Sequence, residues 1–376
     1  FSLLVAAGLL VKSVVKLNTV DYAFAREDVF TARIGLMESV YPTAEDRLRF
    51  YDELEGRLRS VPGARSAAIS TALPGFWGGQ YWFGVEGAQY ERPQDHPVAH
   101  RVAVSPGFFE TFAVSPLQGR AIEEQDRLGA PPVAVVNESF ARRYLEGDPI
   151  GKRVRLGQSD PERPWITVVG LVPDMHAGGV QQEYPEAMYV PLAQTADAFV
   201  SIAVRTQGPP SAITSAVRGA VNAIDADLPI YFVGGLAERM STETWEWRTF
   251  GTLFFMFGIA ALLLAGIGLY AVMAFSVSAR TREVGVRMAL GAERKNVIGM
   301  ILRQGMLQLV LGLFLGFALA VALGRALSEF LFDVQPGDAG VFGSILGLLV
   351  VIGFAASLIP AWRATRVDPV EALRYE

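Results

Sequence analysis

The sequence predicts an α+β domain outside the membrane, carried on an α-helical membrane bundle. The 376-residue chain is 51% hydrophobic and has a mean hydropathy of +0.30, which is too apolar for an ordinary soluble protein. Yet 19% of its residues are charged, which is more than a bundle of membrane helices alone would carry. A membrane protein with a large aqueous domain accounts for both figures.

Three long apolar runs follow the polar part of the chain, near residues 249–279, 297–324 and 340–361. Each has about the 20 apolar residues that a helix needs to cross a bilayer. Residues 1–20 begin with another apolar run. We interpret this run as a truncated first transmembrane helix, because a signal peptide would have a basic n-region and a small-residue cleavage site. The prediction is therefore a bundle of four transmembrane helices, the first truncated.

Positive charge lies on one side of these predicted helices. The segment 280–295 between the first two long runs and the tail after the third together hold eight basic residues, which are Arg280, Arg282, Arg287, Arg294, Lys295, Arg363, Arg366 and Arg374. The loop 325–340 holds only Arg325, beside Glu329, Asp333 and Asp338. By the positive-inside rule, segment 280–295 and the tail lie in the cytoplasm and the polar domain lies outside.

Residues 21–247 are polar, rich in Gly and Pro, and form the predicted outer domain. A strand–helix–strand pattern occurs at both of its ends, over 29–37, 43–60 and 64–71, and again over 199–205, 211–225 and 230–233. This repeat predicts a split βαβ sandwich of the ferredoxin-like kind, built from residues 28–73 and 198–236. Between them we predict an inserted mixed β-rich lobe, 76–195, with one helix near 138–145.

The cytoplasmic segment also has a helical pattern. Arg280, Glu283 and Arg287 fall on one helical face, and Glu283 and Arg287 have the favoured i,i+4 order for an ion pair. Gly291 is a plausible helix C-cap. The segment therefore predicts a short helix along the inner membrane face, where it could contact a cytoplasmic partner. The alternative is a merely topogenic basic loop, which would need the charge but not the Glu283, Gly285 and Gly291 pattern.

Several kinds of site are excluded. The chain has no cysteine, hence no disulfide, thiolate metal site or Cys nucleophile. His96 and His100 have a metal-ligand spacing, but Pro97 argues against a shared helix, so we predict a surface loop. Residues 147–153 lack the spacing and the Ser or Thr of a phosphate loop and predict a turn. With a net charge of −5 and no concentrated basic face outside the membrane-flanking segments, nucleic acid is not an expected partner. We predict no catalytic residue, cofactor or metal site.

At this point a family resemblance is clear. One span, a large outer domain and three spans resemble the MacB/FtsX-type permeases of ATP-binding-cassette (ABC) systems. Residues 280–292, RTREVGVRMALGA, are similar to the family's cytoplasmic motif R-x-x-E-[IV]-G-[IV]-[RM]-x-A-[LI]-G-A. The tail 360–374, PAWRATRVDPVEALR, is similar to the ending P-A-x-x-A-x-x-x-x-P-[VMI]-x-A-L-R.

The outer domain resembles the MacB-like periplasmic core domain. The likeness lies in five short motifs, VSPGFF at 104–109, LQGR at 117–120, VVNES at 135–139, DPIGK at 148–152 and YVP at 189–191. Together with the membrane motifs it covers essentially the whole chain. It is strongest to the duplicated orphan permeases described from acidobacteria, in which this module occurs twice in one chain.

The resemblance implies a non-enzymatic permease subunit of an ABC export system. ATP-driven closure of a separate cytoplasmic ATP-binding subunit would pass through a coupling helix to the periplasmic domain, a process called mechanotransmission. Residues 28–73 and 198–236 would be the porter-like part. The ATPase contact would be made by Arg280, Arg282, Glu283, Gly285, Arg287, Ala289, Leu290, Gly291 and Ala292. The FtsX-like permease domain would span 248–376.

The same resemblance implies a location and partners. The chain would be a multi-pass protein of the bacterial inner membrane, with its large domain in the periplasm. Besides the lipid bilayer, its partners would be a second permease module, in a homodimer or a pseudo-dimer within one chain, and a periplasmic adaptor. Two other functions stay open, an FtsX-like signal relay that activates a periplasmic partner and an uncoupled membrane-anchored interaction protein.

Overall fold

The computed structural model describes residues 1–19, 22–76, 78–157, 162–175, 185–243, 245–279, 294–326, 334–335 and 337–364. The chain divides into two compact units. One comprises Phe1–Val20 with Glu246–Glu376, and the other is Asp21–Trp245.

The described residues form ten α-helices and eleven strands. The helices are α1 Ser2–Thr19, α2 Ala44–Arg59, α3 Phe108–Thr111, α4 Glu138–Tyr144, α5 Leu192–Thr195, α6 Thr214–Asn222, α7 Leu236–Glu243, α8 Trp245–Ala279, α9 Arg294–Ala326 and α10 Ala339–Ala364. The strands are β1 Val29–Gly35, β2 Ala64–Ser70, β3 Gln80–Val85, β4 Val98–Val104, β5 Gln118–Gly119, β6 Val133–Asn137, β7 Arg153–Leu156, β8 Ile166–Val172, β9 Ala187–Pro191, β10 Phe199–Thr206 and β11 Tyr231–Gly235.

The ends of the Asp21–Trp245 unit come together in one part of its sheet, in the order β11–β1–β10–β2 with antiparallel neighbours. Side chains on β1 alternate. Phe30, Ala32 and Ile34 belong to the buried apolar core, as period-2 geometry requires, and Thr31 and Arg33 point to the opposite face.

Helix α2 begins where the sequence supplies a capping box. The Thr43 hydroxyl accepts from the Asp46 backbone N–H at 3.1 Å, and the Asp46 carboxylate accepts from the Thr43 N–H at 3.3 Å. Its buried face contains Phe50, Tyr51, Leu54 and Leu58, spaced as one side of a helix. The predicted downstream helix 211–225 is shorter than expected. A 3₁₀ turn, Pro210–Ile213, precedes α6, which ends at Asn222.

The strands between these ends form a closed lobe. Beyond β2 the sheet continues β4–β3–β7–β8–β6–β9, and β9 also pairs in parallel with β4 over five residues. That second pairing closes six strands into a barrel, which leaves none of the six with a free edge. Phe83 of β3 stacks on Phe140 of α4 at 4.9 Å between ring centroids, and both rings are fully buried.

Three helices of the other unit are long and apolar enough to cross a membrane, over Arg248–Ser276, Met306–Arg325 and Ala339–Pro360. Helix α1 is not among them, so the count of four transmembrane helices stays a prediction. Val5, Leu9 and Leu10 of α1 are buried against α9 and α10. Gly8 allows that approach, because a Cβ there would lie 2.9 Å from side-chain carbons of Val341 and Ile345.

One ion pair links the two ends of the membrane unit. Lys12 Nζ of α1 lies 2.6 Å from Oδ2 of Asp338, the residue just before α10. The other carboxylate oxygen of Asp338 accepts from the Val341 N–H at 2.9 Å and caps the helix.

Candidate functional site

All nine residues predicted to contact an ATPase lie within 280–292, outside the residues that the structure describes. They are Arg280, Arg282, Glu283, Gly285, Arg287, Ala289, Leu290, Gly291 and Ala292. The elements on either side are described: α8 ends at Ala279, and α9 begins at Arg294. Helix α9 runs without a break from Arg294 to Ala326 and includes the membrane-length stretch Met306–Arg325. A continuous helix that includes a membrane-length stretch therefore begins two residues after the predicted contact segment in the chain.

The motifs that carry the resemblance in the outer domain are structural anchors. A Cβ on Gly107 would lie 2.4 Å from the carbonyl oxygen of Ala67, so only glycine fits where α3 crosses β2. Asn137 caps α4 through Phe140 N–H at 3.1 Å, and its amide also bonds two backbone groups of the segment that leads into β9. These residues fix backbone positions.

The two serines of these motifs have carboxylate partners. Ser105 donates to Glu55 at 3.1 Å and accepts from the Ile69 N–H, and Ser139 donates to Asp174 at 2.6 Å. Burial raises the pKa of the Glu55 carboxyl, although Arg59 and Ser105 act in the opposite direction. Each serine holds two chain segments together.

The surface-loop prediction for the two histidines was wrong for His100. This residue lies in β4 and is buried, with Nδ1 2.9 Å from the carbonyl oxygen of Gly78. Strand pairing with β3 and β9 determines its position, and the spacing to His96 could not show that. Among the described residues no group of three or more His, Asp or Glu could hold a metal ion.

The sequence did not predict a cleft with charged and aromatic lining in the described part of the Asp21–Trp245 unit. Its volume is about 680 Å³, and it lies beside the face of β1 that carries Arg33. Residues of β3, β4, β10, β11 and α7 and of the segment after β2 complete its described lining. Its charged lining residues, within the described part, are Arg33, Arg101, Arg239 and Asp197.

Arg101 and Asp197 form an ion pair in the cleft, with Nη2 2.6 Å from Oδ1. The guanidinium of Arg101 also lies over the Tyr81 ring, 4.8 Å from its centroid. The Nε atoms of Arg33 and Arg101 and Oδ2 of Asp197 are buried without a hydrogen-bond partner in the described structure. Three buried polar atoms of the cleft therefore have no partner in the described structure, although Arg101 and Asp197 pair with each other.

Phe76 and Phe232 form another part of the cleft lining. Arg239 of α7 lies over the rings of Phe76 and Phe232, at 4.9 and 5.5 Å from their centroids. Phe232 has a φ of +52° and is 63% exposed, in a register shift where β11 pairs with β1. A positive φ is a genuine outlier for so bulky a residue.

Comparison with known proteins identifies both units. The family described as MacB-like periplasmic core domain matches residues 2–224, and the family described as FtsX-like permease C-terminal matches residues 255–369. The macrolide export ATP-binding/permease protein MacB of Bdellovibrio bacteriovorus is 26% identical over 73% of this chain and 44% of its own length. The pyoverdine export ATP-binding/permease protein PvdT of Pseudomonas savastanoi is 30% identical over 69% of this chain and 40% of its own.

Solved structures are similar to part of this chain. The periplasmic region of MacB from Actinobacillus actinomycetemcomitans is 16% identical, with a TM-score of 0.39 over 57% of this chain and 92% of that one. The extracellular domain of the ABC-type transporter YknZ from Gram-positive bacteria is 14% identical, with a TM-score of 0.35 over 54% of this chain and 98% of that one.

An α+β unit that matches the MacB-like periplasmic core domain and membrane-length helices that match the FtsX-like permease family define a membrane protein of the ABC-transporter permease class. The chain belongs to the family with a MacB-like periplasmic core domain and an FtsX-like permease C-terminal region. It spans less than half the length of the curated relatives described above.

Proposed function

We propose that the chain is the permease subunit of an ABC-type export system of the bacterial inner membrane. A separate cytoplasmic ATP-binding subunit would bind segment 280–292. Its ATP-driven motion would pass along α8 and α9 to the periplasmic domain, which would move substrate there with a second permease module and an adaptor. In this arrangement α1 is a fourth transmembrane helix, and the part of the sheet made by β11, β1, β10 and β2 is the porter-like part.

The observation that carries this proposal is the position of segment 280–292 in the chain. It lies between two membrane-length helices, inside the region that matches the FtsX-like permease family. The continuity of α9 from Arg294 through its membrane-length stretch supports a mechanical role, because a continuous helix transmits displacement better than a flexible loop. The two relatives described above are both named ATP-binding/permease proteins. This chain covers 40–44% of their length.

The test is the ATPase activity of the ATP-binding subunit of this system, reconstituted with the full chain in lipid. Wild-type permease is expected to change the ATPase rate about fivefold, the lower end of typical allosteric coupling. Glu283→Ala with Arg287→Ala should return the rate to that of the subunit alone, because it removes the predicted ion pair of the contact helix without changing net charge.

The matched control is Glu86→Ala with Arg153→Ala, an exposed ion pair of the other unit that also preserves net charge. It should regulate the ATPase as wild type does. Identical regulation by wild type and by the Glu283/Arg287 variant would show that segment 280–292 is not the coupling element.

A further inference from the structure

The cleft beside β1 has the size and lining of a small-molecule site. We infer that it binds a small anion with a planar aromatic body, held by Arg33 and Arg101 and stacked against Phe232. Its volume of about 680 Å³ lies within the range of 300–1,000 Å³ that small-molecule sites occupy. The inference does not depend on coupling to an ATPase, since it concerns binding alone.

The charge of the cleft is the first reason. Three arginines and one aspartate are the charged residues among its described lining, so its formal charge is positive. Arginine stays protonated at any physiological pH, and its planar fork suits carboxylate, sulfonate and phosphate groups. Asp197 is already paired with Arg101 at 2.6 Å, and Nε of Arg33 has no acceptor in the described structure.

Buried polar atoms in the cleft are the second reason. Nε of Arg33 and Nε of Arg101 are N–H donors without an acceptor in the described structure. Buried donors are normally paired, because an unpaired one has lost its hydrogen bonds to water. An anion that draws these guanidinium groups toward it would supply the acceptors that the fold does not.

The aromatic side chains are the third reason and indicate the body of the ligand. Tyr81, Phe199 and Phe232 line the cleft and are 40%, 56% and 63% exposed. Gly35 leaves room for Phe199, since a Cβ on Gly35 would lie 2.7 Å from its ring. Exposed rings around a concave cationic site favour a flat, apolar ligand body that stacks on them.

The backbone at Phe232 is the fourth reason. A left-handed conformation is costly for a bulky side chain, and glycine would adopt it at little cost. Strain of this kind is concentrated at binding and active sites. The strained backbone of Phe232 lies at a register shift in β11. The Phe232 ring is exposed at the cleft, beside Arg239.

The experiment is titration calorimetry of the full chain in lipid nanodiscs, with empty nanodiscs as the baseline. The probe is 2-naphthoate, an aromatic carboxylate, compared with its neutral amide 2-naphthamide and with acetate, which has no ring. We expect 2-naphthoate to bind with one site per chain. The amide and acetate should each bind at least about tenfold more weakly, since the amide lacks the negative charge and acetate lacks the aromatic ring.

Variants separate a binding role from a structural one. Arg33→Gln and Phe232→Gly should each weaken 2-naphthoate about tenfold or more. Phe232→Tyr keeps the ring and should bind as wild type does. Arg218→Gln removes the same charge from an exposed position on α6 and should also bind as wild type does.

Stability provides the second readout. Phe232→Gly should keep or raise the melting temperature while binding is lost, because glycine tolerates the positive φ. Equal affinity for 2-naphthoate and 2-naphthamide, or unchanged affinity in Arg33→Gln, would overturn the inference. So would the absence of 2-naphthoate binding to a folded wild-type chain.

Discussion

Two arginines of the outer domain form ion pairs that differ in how much water reaches them. Arg120 donates to both oxygens of Asp126, at 2.7 and 2.9 Å, and Asp126 is 5% exposed. Arg153 pairs with Glu86 where both side chains are more than 40% exposed. Burial decides their contributions, because removing one partner of a buried pair leaves a desolvated charge, whereas exposed pairs contribute little.

We therefore expect Arg120→Gln to lower the free energy of unfolding by about 2 kcal/mol, and Arg153→Gln by about 0.5 kcal/mol or less. The measurement is unfolding of the full chain in detergent, followed by tryptophan fluorescence. Similar losses for the two variants would contradict the assignment of the Arg120 pair as structural.

The Arg120–Asp126 ion pair should also make the stability of the protein depend on pH. Burial alone would raise the pKa of Asp126, but the hydrogen bonds from Arg120 and from the Glu123 N–H outweigh it and hold the pKa below the ordinary 3.8. A carboxyl whose pKa is lower in the folded than in the unfolded state adds stability at pH values above its unfolded-state pKa. This stability is lost as the pH falls through its folded-state pKa. The difference in stability between wild type and Arg120→Gln should therefore shrink below about pH 3.8.

Single residues also show where sequence reasoning stops. The motif residues Gly107, Asn137 and Ser105 stood out in the sequence, and the structure explains each by a backbone contact. No sequence pattern indicated that the cleft arginines lie together, because more than sixty residues separate each of Arg33, Arg101 and Arg239 from the next. Only the alternation along β1, which places Arg33 between core residues, gave a local signal.

At the scale of elements, local patterns predicted the strands and helices at the two ends of the outer domain, but not the separate strands of the inserted lobe. Predicted strands at 64–71 and 199–205 correspond to β2 and β10, and the predicted helix near 138–145 corresponds to α4. The barrel was not predicted, since its closure depends on the parallel pairing of β4 with β9, residues far apart in the chain. His100 was misplaced for the same reason.

Helix α1 gives a test of the packing in the membrane unit. Gly8→Leu should lower the free energy of unfolding by about 1–3 kcal/mol, because its side chain would overlap Val341 and Ile345 of α10. Gly347→Leu on α10 is the matched control, since nothing lies within 4 Å of its Cβ position in the described structure. The readout is the melting temperature in detergent. Equal effects of the two variants would argue against close packing of α1 on α10.

At the scale of the whole molecule, the proposal requires that motion starting at the cytoplasmic segment reach the outer domain. The division into two compact units suits such a device, because each unit has its own buried core. The absence of cysteine from the sequence is an experimental advantage. A single introduced cysteine becomes a unique labelling site without removing any native thiol.

The most direct test of coupling is a distance measured between two spin labels, one on each permease module. Leu117→Cys places the label on an exposed side chain of the barrel lobe. Adding ATP to the assembly with its ATP-binding subunit in lipid should shift the distance distribution. The shift should disappear when Glu283→Ala and Arg287→Ala are added. An unchanged distribution in the wild-type background, or the same shift with and without the two alanines, would contradict coupling through segment 280–292.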